Sequence, residues 1–197
     1  IAVSALGIGF TGYIFSVIQV LVKKLSQGQT IIGIRLAMLS LIFVVLLGLL
    51  FIAQSYLIPY VDIRFIADTN YTDLHALFGG FGWAGLLLLA VRLQIIPMFH
   101  VTPSFPKWLA KYLPAMLVLL LLLLFVFKPN SVAGQFVIAF VLVLYSVYNV
   151  AFLKLFKQRK RKVVDTSVSF WQFAGVSFLA LVCLYFFPDA FYQQVFA

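Results

Sequence analysis

Six long apolar stretches, at about 1–22, 31–53, 74–98, 109–127, 132–155 and 168–187, restrict this chain to one class of fold. Each approaches the ~20 residues a helix needs to cross ~30 Å of hydrocarbon. A spanning segment must satisfy its own backbone hydrogen bonds, which favours helices over open strands. The expected architecture is therefore all-α, a polytopic bundle of six transmembrane spans forming a single domain over residues 1–197. Composition excludes the soluble alternative. Of the residues, 64% are hydrophobic and only 10% charged, against roughly 25% charged in soluble domains. A globule of this size leaves too much surface wet to hide so much Leu, Val and Phe.

The basic residues assign an orientation. Lys23, Lys24 and Arg35 mark the first connector, Arg92, Lys107 and Lys111 the third, and the run from Lys154 to Lys162 the fifth. The second and fourth connectors hold only Arg64 and Lys128, beside Asp62, Asp68 and Asp73. Lysine and arginine accumulate on the cytoplasmic side of membrane proteins. The odd connectors are thus expected inside and both termini outside, in a bacterial inner membrane. The net charge of +9 is then an orientation signal, and no nucleic-acid partner is expected; the bilayer is the partner, with other membrane subunits as candidates. The chain opens on an apolar Ile1 with neither a basic leader nor a cleavage site, so further residues are expected upstream. The lone Cys183 sits in an apolar run and reads as a buried structural thiol.

Local signals fit these spans. Asp165-Thr166-Ser167 suits the N-cap of the last helix, Pro129-Asn130-Ser131 a tight turn, and Pro188-Asp189 a stop. Trp108, Tyr112, Trp171 and Tyr185 fall near span ends, where amphipathic rings favour the interface. The fourth span is nearly pure leucine and is expected to face lipid.

Chemistry concentrates in the third span, Asp73-Leu-His75-Ala-Leu-Phe-Gly79-Gly80-Phe-Gly82-Trp83-Ala-Gly85. In a regular helix His75, Gly79, Gly82 and Leu86 share a face. A histidine above a glycine track leaves room for a flat group, and imidazole is an axial ligand for heme iron. The competing reading is helix packing: Ala76, Gly80 and Ala84 form a small-xxx-small pattern, and His75 could hydrogen-bond a neighbouring helix. His100 lies 25 residues on, up to ~37 Å along a helix, so the two histidines cannot share a metal. Pro97, Pro103 and Pro106 predict a stiff loop around His100. Arg92 is expected to snorkel toward phosphate headgroups. Gly9, Gly12, Ser16 and Gln19 in the first span, and Tyr145, Tyr148 and Asn149 in the fifth, read as interhelical packing and hydrogen bonding. No phosphate loop, Cys-x-x-Cys pair, His-Glu-x-x-His motif or paired intramembrane carboxylate occurs, and no reaction is implied.

The stretch from His75-Ala-Leu-Phe-Gly-Gly-Phe-Gly-Trp through Ile96-Pro97-Met-Phe-His100-Val-Thr-Pro103 resembles proteobacterial membrane proteins related to heme–copper oxidase subunit I, a group that includes nitric-oxide-response proteins. The basic loop and aspartate at Lys160-Arg-Lys-Val-Val-Asp165 fit the same pattern. The resemblance covers about 30 residues. It implies His75 as the one position able to ligate heme, with partner ligands from further helices or another subunit. A copper site and oxygen reduction are not implied. Three functions follow as expectations: a heme-associated redox or sensing module, an accessory subunit of a membrane complex, and a small-molecule permease.

Overall fold

The computed structural model describes residues 2–23, 28–57, 71–160 and 166–187. Within them the chain is helical, with no strand among the described residues. We number six rods: α1 Ala2–Lys23, α2 Gln29–Leu57, α3 Tyr71–His100, α4 Lys107–Leu123, α5 Val132–Lys157 and α6 Thr166–Phe186. Stretches of α2, α3, α5 and α6 are long and apolar enough to cross a membrane, which fits a multi-pass membrane protein. The 17 residues of α4 fall short of that length. Phe136, Phe170 and Phe173 stand about 70% exposed on the outside of the bundle. In water such rings would form a large apolar patch; in hydrocarbon they are already in their solvent.

The α2 helix packs against α1, α3 and α4, while α5 packs between α4 and α6. The α2–α3 crossing is antiparallel and close along its length. A Cβ at Gly33 would stand 2.7 Å from Ala90 Cβ, one at Gly82 2.9 Å from Ser40 Cβ, and one at Gly48 3.2 Å from His75 Cε1. Small residues thus recur at positions 33, 40 and 48 of α2, seven and eight residues apart. They supply the close approach that van der Waals packing between membrane helices requires. The Ala76, Gly80 and Ala84 pattern does not take part: Gly80 is exposed, and a Cβ there would meet nothing.

Three expectations change in this frame. The leucine-rich α4 does not face lipid on all sides, because Leu109, Leu113, Leu117, Leu121 and Val118 are buried in the core. Lipid-facing and core-facing leucines carry the same hydropathy, so apolarity alone could not tell them apart. Pro97 lies inside the helix, which runs on to His100; the connecting loop is 101–106. Its Phe105 is buried and stacks on Tyr148, ring centroids 5.2 Å apart. Cys183, expected buried, is exposed. The turn at Pro129 is as expected, with the Ser131 hydroxyl accepting from Gly134 N at 3.0 Å as the N-cap of α5. The stretches 157–162 and Asp165–Ser167 were read as a basic loop and a cap. Residues 161–165 and Pro188-Asp189 lie outside the described residues.

Candidate functional site

The centre of α3 departs from the α-helix. Phe78–Gly85, with the sequence FGGFGWAG, winds as a π-helix between two α-helical segments. Glycine weakens an α-helix by about 1 kcal/mol per residue relative to alanine, and four of these eight residues are glycine. A wider turn, with bonds running from i to i+5, therefore competes here. The α5 helix holds the wide segment from outside. Tyr145 Oη donates to Phe81 O at 2.5 Å, and Tyr148 Oη donates to Leu89 O at 3.3 Å one turn beyond it. Both tyrosines are buried and join helices as expected of the fifth span; Asn149, expected with them, instead donates to Tyr145 O at 3.1 Å within α5.

The wide turn rotates the side chains that follow it. His75, Gly79 and Trp83 line one groove together with Gly7 and Phe10 of α1 and Leu41, Val44 and Gly48 of α2. Gly82 and Leu86 do not join them. Gly82 is pressed against Ser40 and Leu121, and Leu86 is in the core. The face that a regular helix would give to His75, Gly79, Gly82 and Leu86 is thus divided, and Trp83 takes the place expected for Gly82. Trp83 continues the i, i+4 row of His75 and Gly79, and the i+3 branch through Gly82 is the one that turns away.

His75 is fixed by α2. Its Nδ1 lies 3.0 Å from Val44 O, and the ring rests where Gly48 has no side chain. A carbonyl oxygen only accepts, so Nδ1 carries the proton and, in the neutral ring, Nε2 keeps its lone pair. A ring nitrogen held in this way by a backbone carbonyl is the usual support of a metal-bound histidine. It is equally a hydrogen bond between two helices. Val44 and Gly48 escaped the sequence reading. The only signal for Gly48 was one small residue interrupting a leucine run, in step with Gly33 and Ser40.

The groove is about 410 Å³, within the ~300–1,000 Å³ of small-molecule sites. Its lining is apolar except for the His75 imidazole and the Trp83 indole. The Trp83 Nε1 is buried without a hydrogen-bond partner among the described residues. A Cβ at Gly79 would meet nothing within 4 Å, so packing among the described residues does not demand glycine there. Among the described residues no three His, Cys, Asp or Glu side chains gather to hold a metal ion. A bare ion therefore lacks a ligand set, whereas a metal that brings its own equatorial ligands needs only the one histidine. His100 is far from this groove. It is buried against Phe156, with ring centroids 5.2 Å apart, at the other end of α3. There Val101 O accepts from Lys160 N at 3.2 Å.

The chain matches no protein-family model, no curated protein and no solved structure.

Proposed function

We propose that the chain is a six-span protein of a bacterial inner membrane whose His75 groove holds heme, in a redox or sensing role. The observation that carries this reading is the seating of His75. Its Nδ1 is committed to Val44 O over Gly48, which reserves Nε2 for a ligand. The apolar lining and the open space at Gly79 suit the face of a porphyrin. When bound, the heme would be held through the His75 imidazole and would supply the iron for redox or sensing chemistry. The chain's own part is to fix the imidazole tautomer and to keep water from the ring face. Any further ligand would come from outside the described residues.

Orientation follows from the ends of the bundle. The exposed lysines Lys107, Lys111, Lys154 and Lys157 share one end with His100, and Lys128 lies at the other. The basic end is assigned to the cytoplasm. An absorption spectrum of the full-length protein, extracted gently from its native membrane, tests the heme reading. A Soret band that disappears in His75→Ala is expected. A colourless but folded wild-type protein overturns it. Membrane-impermeant labelling of a cysteine placed at Lys157 tests the topology, which fails if the residue reacts from outside the cell.

One observation favours a second reading, an accessory subunit of a membrane complex. Gly7, Gly9 and Gly12 on α1, with Gly79 and Gly80 on α3, face open space. A neighbouring helix could approach closely there. That reading predicts co-purifying membrane subunits and an assembly indifferent to His75→Ala.

A further inference from the structure

The α5 helix has one face along which core packing stops and a groove begins. Val143, Val147 and Val150 follow one another in an i, i+4, i+7 row on that face, and each is about two-fifths exposed. A valine in a helix keeps one χ1 rotamer, so the row is a stiff apolar wall. It ends at Lys154, which is exposed. The facing wall at this end is built from the loop 101–106 and the first turn of α4, whose Ser104 and Trp108 line the same groove. That loop is held in place from three sides. Pro103 and Pro106 each fix a φ angle, Phe105 lies on Tyr148 with the ring planes 6° apart, and Lys160 N donates to Val101 O.

The groove encloses about 750 Å³, within the ~300–1,000 Å³ of small-molecule sites. Its two ends differ in chemistry. Eleven residues separate Val143 from Lys154, which makes ~16 Å of apolar wall. One leaflet of a bilayer, half of the ~30 Å core, offers ~15 Å of hydrocarbon. At Lys154 the wall gives way to an ammonium, the Ser104 hydroxyl and the Trp108 indole. Trp108 is 60% exposed, at the level where amphipathic rings meet headgroups. Among the described residues no carboxylate answers the ammonium, since the one present, Asp73, lies at the opposite end of the bundle. Lys107, Lys111 and Lys157 are exposed at the Lys154 end and would add to its attraction for anions. An occupant matched to both ends is an amphiphile, with an anionic head at the rim and an apolar chain one leaflet long below it.

We propose that this groove binds one anionic phospholipid from the leaflet at the basic end of the bundle, with its phosphate on Lys154 and an acyl chain along Val150, Val147 and Val143. The phosphate stays at the level of the loop, and only the chain enters the apolar stretch. His75 lies toward the other end of the bundle, so the site stands whether or not the His75 groove holds heme.

The test uses the full chain in mild detergent, with thermal unfolding followed by tryptophan fluorescence. Short-chain phosphatidylglycerol, phosphatidylcholine of the same chain length, and inorganic phosphate are titrated separately. Phosphatidylglycerol is expected to raise the unfolding temperature saturably, because a ligand that binds only the folded state stabilises it. It should bind at least roughly fivefold more tightly than phosphatidylcholine, the share of one lysine beside an anionic headgroup, and phosphate should have no effect. Lys154→Gln should remove that preference, while Lys111→Gln, outside the groove, should keep most of it. Val147→Trp leaves every charge in place and fills the groove from an exposed position. It should weaken both lipids, and native mass spectrometry should find one phosphatidylglycerol retained on wild type and none on this variant. Should Lys154→Gln fail to fold, Val147→Trp still decides. Equal affinity for the two lipids overturns the proposal, as does a full shift with phosphate alone. Undiminished lipid retention in Val147→Trp overturns it too, and so does an equal loss in Lys111→Gln and Lys154→Gln, which would mean diffuse attraction to the basic end in place of a groove.

Discussion

Replacing Gly85 by alanine should destabilise this protein, although alanine is the better helix former. Exchanging glycine for alanine within a helix gains up to about 1 kcal/mol. Against that, a Cβ at Gly85 would sit 2.5 Å from Tyr145 Oη and 3.0 Å from both Tyr145 Cζ and Gly80 O. The hydroxyl must move, and it is the group that donates to Phe81 O. Hydrogen bonds between membrane helices are worth about 0.6 kcal/mol on average and up to ~1.7. Overpacking adds roughly 1–3 kcal/mol. The net expectation for Gly85→Ala is a loss of about 1–3 kcal/mol. Tyr145→Phe alone removes the hydrogen bond but keeps the ring against Phe81 and Phe178, and should cost about 1 kcal/mol. In the double variant the colliding oxygen is gone, so Gly85→Ala should cost about 1 kcal/mol less than in wild type. Equilibrium unfolding of the four proteins in mixed micelles measures the cycle. Strict additivity, within about 0.3 kcal/mol, would refute the idea that one hydroxyl occupies the space both changes contest. A stabilised Gly85→Ala would refute the π-helical geometry itself.

Two further substitutions probe local costs. Ser40 is fully buried and its Oγ has no hydrogen-bond partner among the described residues; Ser40→Ala removes that hydroxyl and keeps the Cβ, so the unfolding free energy should hold or rise, by up to about 1 kcal/mol. A clear loss of stability would mean that the hydroxyl is bonded after all. Val101 is the one non-glycine residue with positive φ among the described residues, at 49°, which costs a side chain roughly 1–2 kcal/mol. Val101→Gly should therefore stabilise the protein modestly in thermal melts, since Val101 O can still receive Lys160 N. A lower melting temperature would show that the valine side chain contributes more than its backbone costs.

Hydropathy made the rods legible because a bilayer tolerates only helices whose backbones close on themselves. The described ends of α2, α3, α5 and α6 fall near the apolar boundaries for that reason. Hydropathy could not show which side of a rod meets protein. The α4 leucines illustrate this, since Leu117 is buried while Leu119 is 60% exposed. His75 was legible as an ionisable residue in a span, but its partner was not. Val44 offers a backbone carbonyl, and a carbonyl leaves no mark in a sequence. Gly79 and Gly82 looked like one face because period 3.6 was assumed across a stretch that winds wider. Arg92 was legible as a cation near a span end. The Phe152 and Trp171 rings beside its guanidinium lie sixty and seventy-nine residues later, and no local pattern joins them.

The two roles open to His75 make opposite demands on Gly48, and that difference can be measured. A Cβ at Gly48 would approach His75 Cε1 to 3.2 Å and Nδ1 to 3.4 Å, so Gly48→Ala must tilt the ring by a few tenths of an ångström. If the imidazole only ties α3 to α2, the tilt weakens one hydrogen bond of about 0.6–1.7 kcal/mol. The propensity gain of up to about 1 kcal/mol offsets most of that loss. Gly48→Ala would then be nearly neutral in unfolding, and the spectrum would hold nothing to change. If Nε2 ligates heme, the same tilt misaims the lone pair, and Gly48→Ala should broaden or shift the Soret band while stability barely moves. In a His75→Ala background the obstruction is gone. There Gly48→Ala should stabilise the protein whichever role is right, which verifies that the ring rests on Gly48. A band that survives Gly48→Ala unchanged but vanishes in His75→Ala would mean that the imidazole is not seated against α2 when the ligand is bound. The Val44 hydrogen bond would then be no part of the ligand's support.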